Sequence, residues 1–287
     1  MIEMTEEVRS WIRESANEIQ LEAGEYIDSE DGLIHCSICR ERRQTVVKRF
    51  HFPGYFIPRC PCSCQLNEEQ LSRERQERRE RIERIKRRKA HGLRDQSLYK
   101  YTFSNDNGRN PVMEKARAYV RNWKEALSNN VGLLLFGDVG TGKSFFAGCI
   151  ANALLDQDVP VLMTSFPTIL NRLTGVYPEE RVNFINSLND YDLLIIDDLG
   201  VERSTEFAME QMFEVIDRRY RSGKPMIITT NLTLEQMKNP SDLEHARIYE
   251  RILERCAPIL FSGENFRKQK SEENKAQARL IVSPDCA

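Results

Sequence analysis

The 287 residues carry 30% charged and 40% hydrophobic side chains, a water-compatible composition with room for one sizeable core and a smaller module. A net charge of −2 excludes a polycation built as a whole for nucleic acid, so any basic surface must be local. No apolar run approaches the ~18 residues of a membrane span. The acidic start at residues 1–7 lacks the basic-then-apolar layout of a signal peptide, and a cytoplasmic location is expected.

Residues 1–35 hold ten Asp and Glu against two Arg. Within them Trp11, Ile12, Ile19 and Leu21 predict a short amphipathic helix, either a solvated helix with a thin core face or a docking surface for a partner protein. Five of the eight cysteines then fall between Cys36 and Cys64; Cys149, Cys256 and Cys286 are scattered. In a reducing compartment such short spacings point to a metal rather than to disulfides, which places a metal-binding module at 36–66. Residues 67–97 form a basic linker. Its stretch 73–89 carries ten basic and four acidic residues, with Glu and Arg at three- and four-residue spacing, which predicts a helix too polar to be buried. It is either a solvated connection or an arm that contacts nucleic-acid phosphates. The segment itself offers no aromatic for base stacking; Phe50, Phe52, Tyr55 and Phe56 in the neighbouring cysteine module do.

From about residue 98 the pattern alternates. Apolar, β-rich runs at 131–136, 159–164, 193–196, 226–230 and 258–261 are separated by helical patterns, among them 207–220. Alternation of this kind predicts an α/β fold, a parallel five-stranded sheet flanked by helices, over residues 98–267. The polar tail 268–287 is expected to be poorly ordered.

Gly137, Asp138, Val139, Gly140, Thr141, Gly142, Lys143 and Ser144 complete the pattern G-x-x-x-x-G-K-S. The pattern follows one apolar strand and precedes a helix at 145–155, the context in which glycines turn backbone N–H groups inward around phosphate oxygens and the helix N-terminus adds its positive end. Lys143 then faces the β- and γ-phosphates of ATP, and the Ser144 hydroxyl binds Mg²⁺. The strand at 193–196 ends in Asp197 and Asp198. Asp197 suits the carboxylate that holds Mg²⁺ through water, and Asp198 the residue that orients or deprotonates the attacking water. Asn231, at the tip of the next strand, is placed to touch the γ-phosphate or that water. The order of these strands sets an extra strand between the phosphate loop and the acidic strand, which marks the AAA+ type of P-loop fold.

Residues 98–267 resemble the DnaC/DnaI/IstB-like ATPases, bacterial helicase loaders and transposition helpers, with a phage or mobile-element variety in view. The resemblance rests on GDVGTGKS, LLIIDDLG, ITTN, ARIYERI at 246–252 and FSGENFR at 261–267. It implies an ATPase that assembles with copies of itself as a ring or filament, contacts single-stranded DNA and serves a replicative DNA helicase. Many ATPases of this group place Glu where Asp198 stands, so a shorter reach and slow turnover are expected. The resemblance maps an arginine finger, offered to a neighbouring subunit, onto Arg251, with Arg247 as alternative, and a second phosphate sensor onto Arg267. It extends to the cysteines, because DnaI-like loaders carry a zinc module before the ATPase. Two close pairs around a loop suit tetrahedral Zn²⁺. Cys36, Cys39, Cys60 and Cys62 are the favoured set; Cys64 is a substitute for either of the last two, and His35 and His51 are weaker candidates.

Overall fold

The computed structural model describes residues 5–16, 20–49, 51, 53–200, 205–240 and 242–282. It divides into two compact units, residues 1–81 and 82–287.

The first unit opens with α1 (Glu6–Ala16). Val8 and Ile12, four residues apart on one helix face, bury with Leu33 against Val46, Tyr55 and Ile57. The expected apolar face is thus shifted. Ile12 is in the core, but Trp11 is 37% exposed, Leu21 lies past the helix end, and Ile19 is outside the described residues. Because α1 shares its core with residues of the cysteine module, the packing does not break at residue 35. Two small antiparallel pairs follow, β1 (Glu25–Ile27) with β2 (Ile34–Cys36) and β3 (Val47–Lys48) with β4 (Tyr55–Phe56). The side chain of Glu25 is fully buried and is met by Arg43 at 3.4 Å and Arg59 at 3.2 Å, as a carboxylate out of water requires. Phe50 and Phe52 lie outside the described residues.

The basic stretch is helical, as its charge spacing predicts, inside the single 30-residue helix α2 (Ser63–Gly92). Its last turns are anchored. Arg84 and Arg88 pair with Asp158 at 2.6 and 2.9 Å, and Lys89 with Asp156 at 2.7 Å. Gly92 ends the helix where the backbone passes so close to the Val161 carbonyl that a Cβ would overlap it.

The second unit is a five-stranded parallel sheet of β5 (Gly132–Gly137), β6 (Val161–Ser165), β7 (Leu193–Leu199), β8 (Met226–Thr230) and β9 (Cys256–Phe261), in the order β6-β7-β8-β5-β9. All five predicted strands are present, and β8 separates β5 from β7, the strand order of the AAA+ fold. Alternate side chains divide between two cores. Leu133, Leu135, Ile195 and Ile227 pack under α3 (Met113–Arg121), α4 (Trp123–Ser128) and α5 (Lys143–Asp156). Leu134, Leu194, Ile196 and Ile228 face α6 (Phe166–Leu173), α7 (Pro178–Ser187), α8 (Glu206–Arg221), α9 (Leu234–Lys238) and α10 (Leu243–Arg255). At the starts of β7 and β8 the buried guanidinium of Arg219 donates to the carbonyls of Tyr191, Asp192 and Pro225, a clamp that sequence reasoning missed. Most of the polar tail is helical, in α11 (Phe266–Val282). Residues 283–287, including Cys286, lie outside the described residues.

Candidate functional site

The loop between β5 and α5 owes its path to Gly137, Gly140 and Gly142, with φ of 123°, 82° and 99°, a region in which a Cβ is strained. Neighbours brace it. The Thr141 hydroxyl donates to the Asp138 carbonyl at 2.7 Å, the Asp138 N–H to Phe261 at 3.1 Å and the Phe266 N–H to Gly140 at 3.0 Å. The Asn265 amide donates to the Val139 carbonyl at 2.9 Å. Lys143, 7% exposed, points back along the loop and donates to the carbonyls of Gly137 and Asp138 at 2.8 and 2.7 Å. Burial lowers its pKa, against the pull of Asp198 and Asp138. An ammonium held among neutral carbonyls in a recess has unused attraction for an anion.

The end of β7 faces this loop. One carboxylate oxygen of Asp197 accepts from the Ser144 hydroxyl at 2.8 Å and from the Thr229 hydroxyl at 2.6 Å. Asp198 leaves the ladder at a register shift between Ile196 and Leu199, with φ of 64°. Its N–H donates to the Thr229 hydroxyl at 2.8 Å, and its carboxylate accepts from the Asn231 amide at 3.1 Å.

These groups open onto one cavity of about 570 Å³, in the size range of small-ligand sites. Of the sequence-predicted residues, Val139, Gly140, Gly142, Lys143, Ser144, Asp197, Asp198, Asn231 and Arg267 line it, while Gly137, Asp138 and Thr141 shape the loop from behind. Further walls lie outside the sequence-predicted set, among them Tyr101, Asn110 and Phe266, as does the bridging role of Thr229. Tyr101 is placed by Asn152, whose side-chain amide donates to the carbonyls of Leu98 and Tyr101 at 2.9 and 3.0 Å. A buried asparagine inside the apolar helix α5 was the available signal.

Arg251 is not in this cavity. On α10 it pairs with Asp217 of α8 at 2.7 Å, donates to the Arg247 carbonyl at 3.0 Å and lies 4.6 Å from the Phe213 ring centre. Arg247 is exposed, and its guanidinium makes no hydrogen bond or ion pair with the described residues.

In the first unit the thiols of Cys36, Cys39, Cys62 and Cys64 lie within 4.8 Å of one another. This corrects the favoured set, in which Cys60 stood in place of Cys64. Cys60 is engaged with the segment across from it: its N–H donates to Arg43 at 2.8 Å and its thiol faces the Arg42 carbonyl at 3.6 Å. Cys64 instead enters the first turn of α2 and rejoins Cys62. His35 is held by Asp31 and the Arg40 carbonyl, and neither it nor His51 joins the group. Hydrogen bonding from the Glu41 backbone and from Cys64 takes the Cys39 thiol down to about 6, while the bond to Cys39 pushes Cys64 up to about 12. Four thiols this close cannot all ionise without a cation among them.

A family model described as IstB-like ATP binding protein matches residues 62–274, more than half of the chain. The chain belongs to that family. Among curated proteins it is 28% identical over 167 residues to the replicative helicase loader DnaC of Escherichia coli K12, covering 56% of this chain and 65% of that protein. To the replicative helicase loader DnaI of Bacillus subtilis it is 26% identical over 190 residues, 60% of each. The match thus spans less than two thirds of either relative. Among solved structures, a crystal structure of DnaI aligns with a TM-score of 0.49 at 22% identity, covering 60% of this chain and 93% of that one.

Proposed function

We propose that the second unit binds ATP with Mg²⁺ and hydrolyses it, and that the chain is a replicative helicase loader. The observation that carries the enzymatic part is the contact of the Ser144 hydroxyl with the Asp197 carboxylate at 2.8 Å, in the same cavity as Lys143. A hydroxyl and a carboxylate converging there are the hard oxygen donors that Mg²⁺ accepts, and the carbonyl-bound ammonium beside them suits phosphate oxygens. Mg²⁺, when bound, neutralises charge that develops on the transferring phosphoryl group. Lys143 would exchange the loop carbonyls for phosphate oxygens; Ser144 and Asp197 would hold the metal; Asp198, oriented by Asn231, would position the attacking water and accept its proton. Arg267, at the start of α11, lines the same cavity and would supply a further cation to the phosphates.

Lys143→Ala is expected to abolish tight ATP binding, measured with a fluorescent analogue. Asp198→Asn is expected to keep ATP bound and stop turnover. Wild-type turnover by Asp198→Asn would remove Asp198 from its role.

The loader role rests on the two relatives named as loaders. It brings a replicative helicase as partner, single-stranded DNA as ligand and self-assembly as the working state. The family description favours one rival, an IstB-like transposition helper. A pull-down from the native cell, read by mass spectrometry, separates them: a replicative helicase supports the loader and a transposase the helper. A chain that holds ATP only as a structural ligand would show no turnover, with or without single-stranded DNA.

DNA affinity is expected to fall steeply with salt, because neutralised phosphates release counterions. Arg84 is anchored to Asp158, so its removal would test the anchoring of α2 rather than an arm. Arg75, Arg78, Arg79 and Arg81 make no ion pair among the described residues, and α2 is exposed there. Replacing these four with Gln is expected to lower the salt slope by up to about 3–4 if each meets a phosphate. An unchanged slope would leave α2 as a connection only.

The four-cysteine group in the first unit is proposed to hold one structural Zn²⁺, with Cys36, Cys39, Cys62 and Cys64 as ligands.

A further inference from the structure

We propose that Thr229 is the positioning residue of the acidic pair: its one hydroxyl fixes both the metal-side carboxylate Asp197 and the backbone that aims Asp198. The inference deepens the ATPase function proposed above and rests on it.

The sheet breaks between β7 and β8. Along β7 and β8 the register is regular from Leu194 opposite Met226 to Ile196 opposite Ile228, and then shifts so that Leu199 meets Thr230. Asp197 and Asp198 fall inside the shift. Asp198 takes a φ of 64°, left-handed and costly for a residue with a side chain unless its surroundings enforce it. The backbone groups freed by the shift still need partners. Two hydroxyls of β8 supply them. Thr229 accepts the Asp198 N–H at 2.8 Å, and Thr230 donates to the Leu199 carbonyl at 2.7 Å.

Thr229 also acts at the site. While it accepts from Asp198, its own O–H donates to Asp197 Oδ1 at 2.6 Å. That is the same oxygen the Ser144 hydroxyl reaches. When Ser144 turns to a metal, Thr229 remains as a donor on Asp197 and keeps the carboxylate in its rotamer. Thr229 is 2% exposed, so water cannot replace it without rearrangement. Asn231, one residue past the end of β8, meets the Asp198 carboxylate. Residues 229 and 231 thereby hold the pair from the end of β8 and the turn after it, Thr229 through the backbone and the metal-side oxygen, Asn231 through the side chain.

The test uses Thr229→Val, nearly isosteric without the hydroxyl, Thr229→Ala, which puts no methyl against the carboxylate should Val fail to fold, and Thr229→Ser, which restores the hydroxyl. Affinity for a fluorescent ATP analogue is measured with and without Mg²⁺, together with turnover against Mg²⁺ concentration. In the foldable hydroxyl-free variant, affinity without Mg²⁺ should match wild type. The gain in affinity on adding Mg²⁺ should shrink about tenfold, the Mg²⁺ midpoint for turnover should rise by a similar factor, and kcat should fall more than tenfold. Thr229→Ser should return each value to within about threefold of wild type. A hydroxyl-free variant with the wild-type Mg²⁺ response would overturn the assignment. So would a Ser variant as impaired as Ala, which would make Thr229 a packing residue. If the wild-type protein binds the analogue but never turns it over, the ATPase proposal fails, and the Mg²⁺-linked binding arm still decides Thr229.

Discussion

Cys64→Ser is expected to strip the metal from the first unit and unfold it, while Cys60→Ser keeps both. The unit has few other resources. Its described buried apolar side chains are Val8, Ile12, Leu33 and Ile34, besides Cys36 and Cys62, with a few partly buried neighbours, less than a domain of this size needs to fold unaided. A structural zinc site contributes on the order of 10–16 kcal/mol in small modules, enough to decide folding alone. The charge balance points the same way. Hydrogen bonding within the group lowers the Cys39 thiol and raises Cys64, so four neighbouring sulfurs do not ionise together on their own; a divalent metal lets them. Metal analysis of protein purified without chelator should find about one zinc per chain in wild type and Cys60→Ser, and none in Cys64→Ser. Hydrogen exchange should show β1 and β2 unprotected in Cys64→Ser while the central sheet of the second unit keeps its protection. Zinc retained by Cys64→Ser and lost by Cys60→Ser would restore the set inferred from spacing alone.

That contrast shows where the sequence is legible. C-x-C-x-C offers three thiols at equal spacing, and nothing local says which one the chain turns away. The choice depends on Cys60 bonding to Arg43, a contact between segments far apart along the chain. By contrast, the phosphate loop, the Asp197–Asp198 step and the five strands are written in local pattern: glycines at the turns and continuous apolar runs, as buried parallel strands require. Thr229 was hidden because a threonine near the end of a β-rich run reads first as a strand former. Only the register shift, a property of two strands together, gives its hydroxyl a task. The helix of the tail is hard to read for the opposite reason. Residues 266–282 lack an apolar face, yet their helix starts from Asn265, whose side-chain oxygen accepts the Arg267 and Lys268 N–H groups at 3.0 and 3.2 Å.

Arg247→Ala is expected to bind ATP normally and to hydrolyse it roughly 10³–10⁵-fold more slowly, the range of arginine-finger losses. The resemblance maps the finger onto Arg251 with Arg247 as the alternative, and the contacts of Arg251 make Arg247, one turn earlier, the residue we expect to act. To reach a neighbour's phosphate, Arg251 would have to leave Asp217, whose side chain is 13% exposed, and the face of Phe213. Arg221 also meets Asp217, at 2.8 Å, so the carboxylate would not be stranded, but one of the bonds between α8 and α10 would be lost. Arg247 breaks nothing by reaching outward. An always-charged planar fork on an exposed helix face is what a cation lent to another subunit's γ-phosphate requires. Arg251→Ala should therefore act on stability. A loss of about 1–2 kcal/mol for a partly buried ion pair with an aromatic face would lower Tm by roughly 2–8 °C for a unit of this size. Mixing Arg247→Ala with Lys143→Ala protein should restore part of the turnover, because a mixed interface joins an intact phosphate loop to an intact finger. The reverse pattern, with Arg247→Ala at the wild-type rate and Arg251→Ala slow at an unchanged Tm, would return the role to Arg251 and require α10 to release Asp217 on assembly.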